Sequence, residues 1–197
     1  MSVKKESVQS FKLVTVGDGQ CGKTCLLTTF AKGEFPSEYV PTVFDTQLSQ
    51  LEVNRRKVLL SLWDTAGQES YEQLRLLCYP DTNVFLVCFD IAEPHSLLNV
   101  QEFWVPEIRD ACPRTPIVLV GTKKDLREDP KEIAALQRRN QKPVSTAEGQ
   151  AVARQAQAID YVECSALTQE GVHEVFETAV TSILKSKKPK QHRCTIL

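Results

Sequence analysis

Hydrophobic positions in this chain fall into short runs separated by polar stretches long enough to hold helices. The runs Phe11 to Val16, Gln47 to Val53, Lys57 to Trp63, Val84 to Asp90, Ile117 to Gly121 and Tyr161 to Glu163 read as β-strands. FLVCFD and PIVLVG are continuously apolar, as central strands covered on both faces are. Only Asn54-Arg55-Arg56 is short enough to join consecutive strands as a hairpin. The other links leave room for crossover helices, so the remaining pairings are parallel. The pattern predicts a doubly wound α/β domain: a mostly parallel six-stranded sheet with one antiparallel edge strand and helices on both faces. Ligands of such sheets bind beyond the carboxyl ends of the strands, so the loops there are where chemistry is expected.

The first of those loops is GDGQCGKT, Gly17 to Thr24, set between the strand pattern LVTV and the helix pattern CLLTTF. A glycine-rich turn at a helix start points backbone N–H groups and the helix dipole at one spot, which suits phosphate. Lys23 reaches β and γ phosphates as a point charge, and the Thr24 hydroxyl suits Mg²⁺. After Trp63 comes DTAGQE, in which Asp64 can hold Mg²⁺ through water, Gly67 lets the backbone approach a γ-phosphate and Gln68 can orient an attacking water. Thr42 follows Pro41 on a loop segment and can complete the Mg²⁺ shell when a γ-phosphate is present.

The strand from Ile117 runs into TKKD, where the Asp125 carboxylate can accept two N–H bonds from guanine, a pattern that adenine does not offer. That residue selects GTP over ATP. ECSALT, Glu163 to Thr168, follows the last strand and can offer backbone N–H groups to the guanine carbonyl; read alone it is a strand-to-helix loop with Ser165 capping.

Composition changes this picture little. The chain has 197 residues, 42% hydrophobic and 25% charged, which fits a single domain with an ample core. No stretch is long and apolar enough to span a membrane, and MSVKKESVQS lacks the apolar centre of a signal peptide, so residues 1–10 read as a mobile extension. Seven cysteines without paired spacing suit a reducing, cytoplasmic compartment. A net charge of −1 argues against a nucleic-acid partner, yet KSKKPKQHRCTIL is strongly basic. The domain is therefore expected over 11–184 and a basic tail over 185–197.

GDGQCGKT, the Thr of YVPTVFD, WDTAGQE, TKKD and ECSAL occur in this order and at about the spacing of Ras-superfamily small GTPases, and the resemblance runs from Phe11 to Leu197. TVFD, WDTAGQE, VFLVCF and the DLR after TKKD are similar to Rho GTPases of the Rac and Cdc type. DPKEIAALQRRNQKP, residues 129–143, resembles the helical insert of Rho proteins; a plain solvated helix is an equal reading.

The resemblance implies a P-loop NTPase G domain with GTP and GDP as substrate and product and Mg²⁺ as cofactor. Gly17, Asp18, Gly19, Gln20, Cys21, Gly22, Lys23 and Thr24 would wrap the phosphates, with Cys25 next along. Phe35 would pack beside the nucleotide and Tyr39 would close over it. Thr24 and Thr42 would be the metal's protein ligands, with Asp64 behind them. Thr122, Lys123, Asp125 and Leu126 would grip guanine, and Ser165, Ala166 and Leu167 would line it. Gln68 and Lys23 would be catalytic. Thr42, Val43, Phe44 and Asp45 would meet effectors of the GTP form.

Exchange factors, activating proteins and a dissociation inhibitor are the further partners implied, with signalling to the actin cytoskeleton. The ending Cys194-Thr-Ile-Leu is a prenylation sequence of the geranylgeranyl kind, and Lys185, Lys187, Lys188, Lys190 and Arg193 would add attraction to the inner leaflet of the plasma membrane.

The chain departs from the family pattern at Gln20, where a small residue is usual, at Cys21, where valine is usual, and at Thr46-Gln47, where Asn-Tyr is usual. Gln20 predicts crowding of the nucleotide and faster release. Cys25 reads either as a reactive thiolate near a helix start or as a small buried filler. The alternatives to a hydrolysing switch are a GTP-bound scaffold without turnover, which the presence of Gly19 and Gln68 opposes, and an ATP-dependent kinase or transporter, which Asp125 opposes.

Overall fold

The computed structural model describes residues 8–37, 42 and 44–186. Its centre is a six-stranded sheet in the order β2-β3-β1-β4-β5-β6. The strands are β1 (Gln9–Gly17), β2 (Phe44–Val53), β3 (Arg56–Thr65), β4 (Val84–Asp90), β5 (Ile117–Thr122) and β6 (Asp160–Glu163). β2 and β3 pair antiparallel and every other pairing is parallel, as the link lengths predict. The hairpin is tighter than the sequence suggests. Arg56 pairs with Val53, leaving only Asn54 and Arg55, both at positive φ, which is the backbone of a two-residue turn matched to strand twist.

β4 and β5 are buried along their whole length because helices cover both faces. On one face lie α1 (Lys23–Lys32) and α7 (Val172–Ser186), packed on a core that includes Leu13, Leu60, Leu86, Val118 and Phe176. On the other lie α3 (Pro94–Asn99), α4 (Val105–Ala111) and α6 (Thr146–Gln155), around Val14, Phe85, Phe89, Trp104 and Leu119. Odd and even residues of the strands thus feed opposite cores, as the period of a strand requires. A single π-helical turn, Val100–Trp104, joins α3 to α4 without a break. The short α2 (Glu72–Leu76) follows a 3-10 turn at Glu69–Tyr71.

Within residues 129–143, α5 (Pro130–Arg138) forms with Asp129 as its cap, the carboxylate accepting from the N–H groups of Lys131 and Glu132, and Pro130 in its first turn. Leu136 is buried beneath it, so the segment is anchored on one side rather than solvated all round. α6 begins at a reciprocal cap between Ser145 and Glu148. Two boundaries differ from the sequence expectation: β1 starts at Gln9, inside the stretch read as an extension, and α7 runs through Ser186, past the start of the expected tail.

Candidate functional site

β1, β3, β4 and β5 deliver their carboxyl ends to one rim, where the expected loops converge. Gly17 ends β1, and α1 begins after Gly22, whose φ of 92° lies in the left-handed region open to glycine. The turn between them bends around Lys23. Its ammonium donates to the carbonyls of Gly17 at 2.8 Å and Asp18 at 2.7 Å and makes a weak 3.9 Å contact with Cys21 Sγ. The lysine is thereby held at the floor of the loop, where N–H groups of the α1 start also point.

Thr24, Thr42 and Asp64 meet beside it. The Thr24 hydroxyl donates to Asp64 Oδ2 at 2.6 Å and lies 2.9 Å from the Thr42 hydroxyl. Because Thr24 has one hydrogen and gives it to the carboxylate, Thr42 is the donor to Thr24. Asp64 Oδ1 is buried and has no hydrogen-bond partner among the described residues. Burial pushes this carboxyl above its ordinary value in spite of the Thr24 bond, and Asp45, opposite it in the β2–β3 ladder, adds to the rise. Two hydroxyl oxygens and an unsatisfied carboxylate oxygen are a hard-oxygen set of the kind that suits Mg²⁺.

Gly67 lies directly on the phosphate loop. A side chain there would place Cβ 2.3 Å from Gly17 O and 2.5 Å from Gly19 N, so only glycine allows this approach. Gln68 follows on the exposed surface, before the 3-10 turn at Glu69–Tyr71. A cavity of about 760 Å³ opens between these parts, walled by Gly19, Gln20, Gly22 to Cys25, Phe35, Thr42, Gly67 and Gln68. Gln20 sits on its wall with φ 64°, exposed rather than packed into the loop.

A second cavity of about 190 Å³ continues from the first and shares Gly22, Cys25, Phe35 and Lys123 with it. Asp125, Leu126, Ala166 and Leu167 line this end. The Thr122 hydroxyl is shared between the carbonyls of Cys21 and Phe89, which brackets the base loop to the phosphate loop. Ser165 is fully buried; its hydroxyl accepts from Thr168 N–H and its own N–H donates to Glu170 O, so it shapes the last loop from beneath. Cys25 is neither of the things expected of it. It lines both cavities instead of filling the core, and burial pushes its thiol up, away from a reactive thiolate.

Phe44 and Asp45 are exposed at the start of β2, three residues earlier than the hydrophobic pattern marks it. Phe44 packs its ring on Trp63 with centroids 5.3 Å apart. Tyr39, Val43 and Cys194 lie outside the described residues, as do Lys187, Lys188, Lys190 and Arg193.

Four participants carried no linear signal that singled them out. Asp90, at the end of β4, accepts from Lys123 Nζ at 2.6 Å and orients the lysine of TKKD. Its position, a charge closing a central apolar strand, was the one available clue. Arg75 donates to the carbonyls of Ala66 and Gln68 and to the Glu107 carboxylate. Asn99 and Trp104 donate to the two oxygens of Asp18. The pairs Arg75–Glu107, Asn99–Asp18 and Trp104–Asp18 span 32 to 86 residues of chain, and no spacing rule reaches that far.

The Ras family model matches residues 12–185 of the chain. The GTP-binding protein RHO1 of Candida albicans is 56% identical over 94% of this chain and 95% of its own length. The human Rho-related GTP-binding protein RhoB is 55% identical over 93% of each chain, and rho1 of Schizosaccharomyces pombe is 56% identical over 91% of this one. The finer likeness to the Rac and Cdc type is carried by the sequence motifs alone. With these relatives covering nearly its whole length, the chain belongs to the Ras family of small GTPases and, within it, to the Rho family.

Proposed function

We propose that the two cavities form one nucleotide trough, phosphates over Lys23 and guanine against Asp125, in which GTP is hydrolysed to GDP under the control of Mg²⁺. The observation that carries this is the meeting of Thr24, Thr42 and Asp64 within 2.9 Å, with Asp64 Oδ1 left bare beside a lysine held by main-chain carbonyls. Thr24 and Thr42 would hold the metal and Asp64 would reach it through water; when bound, it supplies positive charge to the β and γ phosphate oxygens. Lys23 exchanges its weak contact with Cys21 for a phosphate oxygen. The backbone N–H of Gly67 faces the terminal phosphate, and the Gln68 amide orients water for in-line attack.

Unaided hydrolysis by such a site is slow because the loose transition state needs further positive charge. An activating protein's arginine supplies it, raising the rate by roughly 10³ to 10⁵. Thr42 and Gly67 both depend on the terminal phosphate, so its loss changes the surface that Thr42, Val43, Phe44 and Asp45 present to effectors. Exchange factors and a dissociation inhibitor complete the cycle. Prenylation at Cys194 with the basic residues around it places the switch on the cytoplasmic face of the plasma membrane, from where it signals to actin. Gln20, on the cavity wall, speeds nucleotide release, and Gln20→Ala slows it.

Single-turnover phosphate release from GTP, with Mg²⁺ and with the metal chelated, tests the reading. Hydrolysis that needs Mg²⁺, falls at least about tenfold in Gln68→Leu and is not matched with ATP is the expected result. Equal turnover of ATP, or indifference to Gln68, would overturn it. Partner capture by GTP-loaded against GDP-loaded protein tests the switch.

A further inference from the structure

One helical unit, Pro94 to Ala111, touches both loops that meet at the phosphates. Asn99 Nδ2 donates to Asp18 Oδ2 at 2.7 Å, and Trp104 Nε1 donates to Asp18 Oδ1 at 2.7 Å. The Asp18 carboxylate is therefore held at both oxygens from a single element. One turn further along, Glu107 takes two bonds from Arg75, at 3.0 and 2.6 Å, and accepts the Tyr79 hydroxyl. The same guanidinium stands 4.7 Å from the centre of the Trp104 ring and donates to the carbonyls of Ala66 at 3.0 Å and Gln68 at 3.3 Å.

The π-helical turn explains how Asn99 and Trp104 reach one carboxylate. In an α-helix, residues five apart face different directions, because neighbours on one face are three or four apart. In a π turn the bonds run from residue i to i+5, as Val105 N–H to Val100 O does here, and residues five apart are brought over one another. The wide turn begins just after Asn99 and ends at Trp104.

We propose that Asn99 and Trp104 are positioning residues for hydrolysis. They fix the phosphate loop through Asp18 and, together with Glu107 and Arg75, hold it in register with the loop that carries Gln68. Gly67 lies within contact of Gly17 and Gly19, so a small shift of either loop alters the space in which the attacking water sits. The inference rests on the role given to Gln68 above.

Charge exchange tests it. Asn99→Asp sets a carboxylate against Asp18 and pushes the phosphate loop away. Adding Asp18→Asn restores the pair with its polarity reversed: the new amide nitrogen takes the place of Oδ2 and donates to the carboxylate introduced at position 99, while its oxygen still accepts from Trp104. Single-turnover GTP hydrolysis, GTP affinity and thermal melting are measured on wild type, Asn99→Asp, the double variant and Trp104→Phe, which keeps a ring over Arg75 but loses the indole N–H.

Hydrolysis is expected to fall about tenfold in Asn99→Asp and to recover in the double variant, with GTP affinity changing less than the rate. Trp104→Phe falls by a similar factor at unchanged Gln68. Folded Asn99→Asp protein with wild-type hydrolysis overturns the proposal, as does slow hydrolysis that the second substitution does not restore. Should Asn99→Asp fail to fold, Trp104→Phe hydrolysing at the wild-type rate overturns it. Wild-type protein that does not hydrolyse GTP would instead remove the reading on which the proposal rests.

Discussion

The two loops that meet at the phosphates are fastened in opposite ways. The stretch Ala66 to Gln68 is built into the frame: Ala66 is buried, Gly67 rests on the phosphate loop, and Arg75 takes the carbonyls of Ala66 and Gln68. Thr42 is fastened through its side chain, by a hydroxyl on Thr24. That hydroxyl is one of the groups a metal would claim, so in the proposed reading ligand chemistry would act on Thr42 directly. The Gln68 loop is reached only through the contact at Gly67. In the proposed reading one loop would respond to the ligand through a side chain, and the other through the contact at Gly67 alone.

The largest effect expected from breaking this contrast is at Arg75. Its side chain is 1% exposed and that of Glu107 is 8% exposed, so Arg75→Ala leaves a buried carboxylate without its cation. The cost expected is about 3–5 kcal/mol, read as a fall in melting temperature of roughly 10 °C. A melt close to that of wild type would show that the Gln68 loop is not held by this pair.

Gly67→Ala comes next. Its Cβ would sit 2.3 Å from a backbone oxygen, and overpacking of this kind costs about 1–3 kcal/mol. GTP affinity should drop more than GDP affinity, measured by competition with a fluorescent nucleotide, since only GTP places a phosphate against this loop.

Thr42→Ala should change the melt of metal-free protein by no more than about 1 kcal/mol, because a single half-buried hydroxyl bond is lost. The same variant should lose much of the Mg²⁺ dependence of GTP binding. An equal loss of stability in Thr42→Ala and Arg75→Ala would erase the contrast between the loops.

The smallest effect concerns Glu163, which accepts two bonds from Arg127 and one from Tyr161 at the far end of the sheet. Burial pushes this carboxyl up, but the bonds from Arg127 and Tyr161 outweigh it and leave it below its ordinary value of 4.5. The stabilisation is present above that value and is lost as pH falls through the lowered one. The pair is partly exposed, so the contribution is under about 1 kcal/mol. Melting of Arg127→Met should accordingly be less pH-sensitive than wild type below about pH 4.5.

The site was legible where its parts are consecutive. A glycine-rich turn and a lysine within eight residues, directly after a strand, mark a candidate phosphate cradle, because main-chain N–H groups would do the binding and a short loop sets their direction. That every pairing but the hairpin is parallel followed from link lengths alone, whereas the order β2-β3-β1-β4-β5-β6 came only with the structure. β2 was only partly legible. Phe44, Asp45 and Thr46 are exposed and show no alternation, and pairing with Trp63 to Thr65 is what recruits them into the strand. Its edge position makes the hydrophobic pattern weak there, while the ladder does not depend on side chains.

By itself the sequence determined the class of fold, the place of the glycine-rich loop and the family, since each is written in local order: apolar period, link length and motif spacing. Only the tertiary structure decided which side chains keep the loops in place. Asp90 under Lys123, Arg75 on Glu107, and Asn99 with Trp104 on Asp18 are all meetings of residues remote in the chain. Such meetings are settled when helices pack on the sheet and buried polar groups must find partners, a requirement that constrains the folded molecule and leaves no spacing in the chain to read.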